Sequence, residues 1–179
     1  GKSTAAPKKA ASRYAGVRVL DAESNGANAA RQTGFEASRG ELIANIDADT
    51  LLPEGWIRRA LREFEAHPYL AALSGPYTFY DLPFPFRFLM RVLWYLAAPF
   101  YLVSNVLLRR GASVMGGNVV IRRSALQAIG GYNTDIPFYG DDTDTASRLS
   151  KIGSVKFSYS FIVYSSGRRF THEGFFVTM

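Results

Sequence analysis

Leu42-Ile43-Ala44-Asn45-Ile46 runs straight into Asp47-Ala48-Asp49-Thr50. An apolar run of strand length that gives way abruptly to acids reads as a strand covered on both faces, with a site at its carboxyl end. In extended chain, residues two apart point the same way, so Asp47 and Asp49 are expected to offer oxygens to one ion. Open α/β sheets bind ligands outside the carboxyl ends of their strands. Carboxylate oxygens suit Mg2+ or Mn2+, which keep waters and complete their shells with substrate phosphates. The competing reading is a solvated acidic turn before a helix, where acids complement the helix dipole. The buried strand in front favours the site.

Upstream, Asn25 to Ser38 is Ala-rich, with Ala29, Ala30, Thr33 and Ala37 at helical spacing, and Gly40 closes it. Val17-Arg18-Val19-Leu20 alternates like a short strand, and Ala5 to Tyr14 reads as a helix whose start Pro7 confines. Downstream, Pro53 opens a helix with Trp56, Ile57, Ala60, Leu61 and Phe64 on one stripe and Arg58, Arg59, Arg62 and Glu63 opposite. His67-Pro68 stops it, and Ala71-Ala72-Leu73-Ser74 is the next strand. Asn118-Val119-Val120-Ile121 is another strand. Ser124 to Ile129 is a short helix closed by Gly130-Gly131. Asp141 to Lys151 is a helix with Ala146, Leu149 and Ile152 inward, and Val155 to Phe157 and Phe161 to Tyr164 close the chain as strands. Alternating strands and helices predict a layered α/β fold around a mostly parallel sheet.

Residues 84–110 differ in character. No charge occurs from Val92 to Leu108, and Arg87, Arg91, Arg109 and Arg110 flank the run. It is short for a membrane span and Pro99 interrupts it. Two readings lead, a buried core helix and a helical insertion lying at a membrane surface with Trp94, Tyr95 and Tyr101 at headgroup depth, and a true span ranks third.

The chain has 179 residues, of which 47% are apolar and 14% aromatic, enough for one domain with a real core. Lys and Arg outnumber Asp and Glu by 21 to 15. That excess favours anionic partners: nucleotides, phospholipid headgroups or nucleic acid. There is no cysteine, which excludes disulfides and thiolate metal sites. Gly1-Lys2-Ser3-Thr4 carries no apolar run of signal-peptide type, and the chain starts without Met and stops at Met179 just after an aromatic stretch. It is therefore read as a fragment.

A second acidic cluster, Gly140-Asp141-Asp142-Thr143-Asp144, opens a helix that carries Arg148 and Lys151. Capping and the helix dipole account for one or two carboxylates there, not for three within four positions. A carboxylate beside a metal site, but not ligating it, would serve as a general base.

Together these residues resemble the inverting glycosyltransferase family 2, with its Rossmann-like GT-A fold. Asn25-Gly26-Ala27-Asn28-Ala29-Ala30-Arg31-Gln32-Thr33-Gly34 is similar to the family's segment before the metal motif. Gly40 to Thr50 resembles its strand and Asp-X-Asp motif. Gly116-Gly117-Asn118, with Ile121-Arg122-Arg123 and Gly130-Gly131-Tyr132, resembles its acceptor-side segment. Gly140 to Asp144, with Arg148-Leu149 and Gly153, resembles the segment that supplies the base. Four motifs in family order over residues 16–157 are far more specific than any one alone.

The resemblance implies a single catalytic domain over residues 1–179 that transfers one sugar from a nucleoside diphosphate sugar to a hydroxyl or phosphate acceptor, lipid-linked or glycan. It puts Asp47 and Asp49 at the donor diphosphate and the Mn2+ or Mg2+, with Asp49 the direct ligand. It makes Asp142 the base, with Asp141 where the family often has Glu. Arg31 and Gly26 match donor-side positions, and Asn118 and Gly117 acceptor-side ones. It implies a cytoplasmic enzyme, peripheral on the cytoplasmic face of the membrane.

The family's opening strand and Pro-X-Tyr-Asn-Glu type turn are absent, and Ser3-Thr4 is read as a remnant of the next turn, so the fold is expected to be incomplete at the N-terminus. The Gln-X-X-Arg-Trp motif of processive synthases is missing, and Ser166-Gly167-Arg168-Arg169-Phe170 is a loose echo of it. Two other classes fit less well. A sugar-phosphate nucleotidyltransferase needs a Gly-rich, basic phosphate loop near its start. A basic nucleic-acid-binding module needs clustered Lys/Arg among exposed aromatics, whereas here the basic residues are dispersed.

Overall fold

The computed structural model describes residues 9–22, 24–103, 114–136, 140–168 and 170. Helix α1 (Ala27–Ala37) leads into β1 (Leu42–Ile46), and α2 (Trp56–Ala66) into β2 (Leu70–Ser74). The short β3 (Tyr77–Phe79) and the long α3 (Phe84–Leu102) follow. Then come β4 (Asn118–Arg122), α4 (Arg123–Ala128), α5 (Asp141–Leu149), β5 (Ser154–Phe157) and β6 (Val163–Ser165). The main sheet has the order β1-β4-β2-β5, and β3 pairs with β6 in a second sheet.

The architecture is α/β, with helices on both faces of the sheet, as the alternation predicts. Three of the four main strands, β1, β2 and β5, run the same way, as the mostly parallel expectation has it, and β4 is the exception. Strand β4 lies antiparallel to β1 and to β2, whereas β2 with β5 and β3 with β6 pair in parallel. Strand β4 thus slots between two strands that run the other way.

Side-chain alternation on β4 divides the core. Val119 and Ile121 pack with Phe35, Leu126, Ala146 and Leu149, under α1, α4 and α5. Val120 faces the opposite side with Trp56, Ala60, Phe64, Leu73, Phe161 and Val163, under α2. Strand β2 is buried throughout.

Strand β1 is covered only in part: Ile43 is buried in one core, and Leu42 and Ile46 pack half-buried against the other. The strand sits at the edge of the sheet, and Ala44 is exposed. Residues 17–20 form no strand: no partner strand reaches them among the described residues, and they are exposed. Of the proposed helix over 5–14, residues 5–8 lie outside the described residues and 9–11 are helical. Ser3-Thr4 also lies outside them.

On α2 the inner stripe narrows to Trp56, Ala60 and Phe64, whereas Ile57 is 63% exposed; Ile152 likewise faces outward. Helix α3 continues through Pro99, which removes one backbone donor without ending the helix. Residues 104–110 of the apolar segment lie outside the described residues.

Asn118, at the start of β4, joins the halves of this fold. It is fully buried, and its amide donates to the Gly75 carbonyl at 2.9 Å and to that of Phe161 at 2.7 Å. Its carbonyl oxygen accepts the indole N–H of Trp56 at 3.2 Å, and Trp56 stacks on Phe161 at 4.7 Å. The side chain of Asn118, expected on the acceptor side, makes these contacts in the core. Asn118→Ala would strand two carbonyls and an indole N–H in apolar surroundings. We expect a loss of about 3 kcal/mol in denaturant unfolding, because each orphaned buried group costs about 1–3 kcal/mol.

Candidate functional site

Strand β1 stops at Ile46, and Asp47 to Thr50 forms a turn closed by the Thr50 N–H on the Asp47 carbonyl at 3.0 Å. The two carboxylates are therefore not side by side on extended chain. The Asp47 carboxylate lies 3.5 Å from the Tyr77 hydroxyl. Asp49 pairs with Arg168 at 3.0 Å.

Arg168 is presented by a fastened turn. The Ser166 hydroxyl and the Gly167 N–H donate to Asp81 at 2.5 and 2.6 Å, and these bonds hold the Asp81 carboxyl below its usual range. Neither Tyr77 nor Arg168 was singled out for the site from the sequence. Arg168 sat within a recognisable echo of a family motif, whereas Tyr77 carried no signal.

The second cluster assembles around Arg31 of α1. Its Nη1 lies 2.7 Å from Asp141 and 2.8 Å from Asp142. Two adjacent residues at a helix start thus reach one cation, while Asp144 turns to Arg148, one turn along its own helix, at 3.3 Å. The cap of α5 is Gly140, in the left-handed region at φ 86°, so the carboxylates follow the cap rather than form it. Burial pushes the Asp142 carboxyl above the ordinary carboxylate value. Arg31 and the Gly116 amide oppose that shift and Asp141 adds to it.

The two acidic motifs meet at one tight turn. Met115 to Asn118 is closed by the Asn118 N–H on the Met115 carbonyl at 2.8 Å, and the Ser74 hydroxyl braces it, accepting from the Met115 N–H and donating to the Asn118 carbonyl. At its centre the Gly116 N–H donates to Asp142 at 2.9 Å, and the Gly117 N–H to the Tyr77 hydroxyl at 2.9 Å. A side chain at either position would displace the charged groups of the site. A Cβ on Gly116 would overlap the Asp142 carboxylate and the Arg31 guanidinium, and one on Gly117 would overlap the Asp47 carboxylate.

Gly26 is the cap of α1, at φ 131°. Beside the turn, a groove of about 490 Å³ runs between α1 and the edge of β1, lined by Ala27, Ala30, Arg31, Asn45, Asp47 and Gly116 among others. Among the described residues no three His, Asp or Glu side chains converge into a protein-only metal cage. The donor set fits a hard cation of another kind. Asp47 and Asp49 lie on one exposed turn, and Mg2+ or Mn2+ bound by one or two carboxylates takes its remaining ligands from water and substrate phosphates.

The family profile for glycosyl transferase family 2 matches residues 1–130. The chain belongs to glycosyltransferase family 2. The matched stretch takes in the Asp47–Asp49 turn and Gly116-Gly117, and the Asp141–Asp144 cluster lies beyond it. No curated protein matches the sequence.

Two solved structures share the GT-A fold. One is the mannosyltransferase PcManGT from Pyrobaculum calidifontis, in complex with GDP-Man and Mn2+, at TM-score 0.60 and 20% identity over 90% of this chain and 43% of that one. The other is a mycobacterial protein, at TM-score 0.59 and 19% identity over 94% of this chain and 55% of that one. The chain thus spans about half the length of the solved structures it matches.

Arg31 is the cation on which this family 2 site closes. Arg31→Met would leave Asp141 and Asp142 crowded, with no counter-charge between them. Removing one partner of a buried ion pair costs about 3–5 kcal/mol, and the partial exposure here points to about 3 kcal/mol in urea unfolding at neutral pH. Burial already holds the Asp142 carboxyl above its ordinary value, and without the opposing Arg31 charge the ionised form costs more, a cost that vanishes as the group takes up its proton. The deficit should therefore shrink as pH falls toward 4, which a pH series of unfolding midpoints would read.

Proposed function

We propose that this chain carries the catalytic face of an enzyme that moves a single sugar from a nucleoside diphosphate sugar to a hydroxyl or phosphate acceptor, with inversion at the anomeric carbon. The observation that supports this most is the turn at Gly116-Gly117. It brings Asp47 of the first acidic motif and Asp142 of the second to neighbouring backbone positions. Donor-side and base-side groups then flank one site.

Asp47 and Asp49 would hold Mn2+ or Mg2+ together with the donor diphosphate. When bound, such a cation neutralises charge growing on the departing nucleoside diphosphate. Asp142 is the base: it takes the proton of the acceptor hydroxyl while that oxygen bonds to the anomeric carbon and the bond to the diphosphate breaks. One displacement from the opposite face inverts the configuration. A carboxyl held above its ordinary range by burial is a better proton acceptor than an exposed one. Arg31 sets the orientation of Asp142 and keeps Asp141 beside it.

Asp142→Asn should keep donor binding and lose turnover by about 10²–10⁴-fold, since an amide cannot take the proton. Its stability should behave unlike that of a structural residue. A carboxyl whose folded pKa is raised costs stability once ionised, so at neutral pH the variant should unfold at the same or a higher temperature. Separate measurement of kcat, donor affinity and melting decides this. Near-normal turnover would remove Asp142 from the role of base.

The proposed enzyme works at the cytoplasmic face of a membrane, and α3 supports that placement. Its inner side, with Met90, Phe86 and Leu93, packs on Phe79, Leu82 and Phe170, and Trp94 stacks on Phe157. Phe84, Phe88, Leu89 and Leu96 face outward beside exposed Arg87 and Arg91. From Leu82 to Thr134 the sequence has no Asp or Glu. No helix among the described residues is long and apolar enough to cross a membrane. An apolar outer face edged with arginines suits an anionic lipid surface, where each basic residue adds about 1 kcal/mol, screened by salt. The protein should float with anionic liposomes at low salt and less so at high salt. If it stays wholly in the aqueous fraction, the outer face of α3 is no membrane surface.

A further inference from the structure

The Tyr77 ring packs between the α2-side core and the cluster under α3, and its hydroxyl emerges at the acidic turn. A phenol has one proton to give and lone pairs that accept. The Gly117 N–H fills one lone pair at 2.9 Å, and the hydroxyl proton is directed at Asp47, 3.5 Å away. The neighbouring Gly116 N–H meanwhile donates to Asp142. Two successive amides of one turn thus reach the two acidic motifs, one directly and one through Tyr77.

We propose that Tyr77 is a positioning residue: its hydroxyl relays the Gly117 amide to Asp47 and so fixes that carboxylate relative to Asp142. The proposal rests on the reading of Asp47 as a metal- and donor-side carboxylate. The relay itself is a matter of hydrogen bonding and is tested apart from that reading.

Tyr77→Phe keeps the ring and removes the hydroxyl. Partners that hydrogen-bond a metal-ligating side chain typically contribute 10–100-fold to metal affinity. With the full chain and Mn2+ alone, monitored by the paramagnetic resonance of the free ion, Tyr77→Phe should bind about tenfold more weakly than wild type. In an Asp47→Asn background the same change should cost almost nothing more, because Tyr77 acts through Asp47. Tyr69→Phe, on the open surface, is the control.

Hydrogen exchange at the Gly117 amide reports the relay without metal and should accelerate in Tyr77→Phe. Unchanged exchange there, or Mn2+ losses that multiply in the double variant, would overturn the proposal. Accelerated exchange in a protein whose wild type takes up no Mn2+ would uphold the relay and overturn the metal reading instead.

Discussion

Two adjacent positions without side chains, Gly116 and Gly117, set how closely the acidic motifs of this chain approach each other. A methyl group at either one would occupy the place of a carboxylate. Close approach of like charges is costly unless something is placed between them, and here that is the Arg31 guanidinium together with the amide protons of the turn. The turn is held in turn by groups with no direct part in the site: the Ser74 hydroxyl on one side, and Asn118 with its three core partners on the other. The site therefore inherits its geometry from the sheet, since Ser74 ends β2 and Asn118 begins β4.

The electrostatics follow from that packing. Burial raises Asp142, and the same loss of water pushes the Tyr77 and Tyr132 phenols upward. These groups stay protonated or become proton-accepting for one reason: the turn, α1 and α5 close over them. Arg31 lies in the middle and feels Asp142, Asp141 and Asp47 together. On the far side of the site the Asp49–Arg168 pair is more open to water. One half of the site is thus fixed by desolvated contacts and the other half remains exchangeable. That division suits the proposed roles of Asp142 as a base and of the Asp47–Asp49 turn as a site for a charged ligand.

Helix α3 shows how one apolar segment meets two demands. Its inner side supplies the small core above β3, and its outer side keeps large apolar groups and arginines in the open. Core packing accounts for the first set alone.

The local chemistry was legible in the sequence. The strand before Asp47, the stripe of Trp56, Ala60 and Phe64, the glycines at 130 and 131, and the acidic start of α5 all follow from periodicity and turn preferences within a few residues of chain. So did the motif order that marks the family, because it too is a pattern along the chain. What could not be read there was decided by pairing at a distance. Strand direction is set by pairing, and alternation does not show that one strand of the mostly parallel sheet, β4, runs against the others. That the side chain of Asn118, placed on the acceptor side by the family resemblance, is buried in the core depends on how β4 is set in the sheet. Tyr77 and Arg168 reach the site only because β3 and β6 pair. The sequence by itself determined most of the elements, the family and the carboxylates, but neither the absence of a strand at 17–20 nor the short β3. The tertiary structure decided which cation and which hydroxyl face them, since hydrogen bonds and ion pairs depend on separations in space that the folded sheet alone sets.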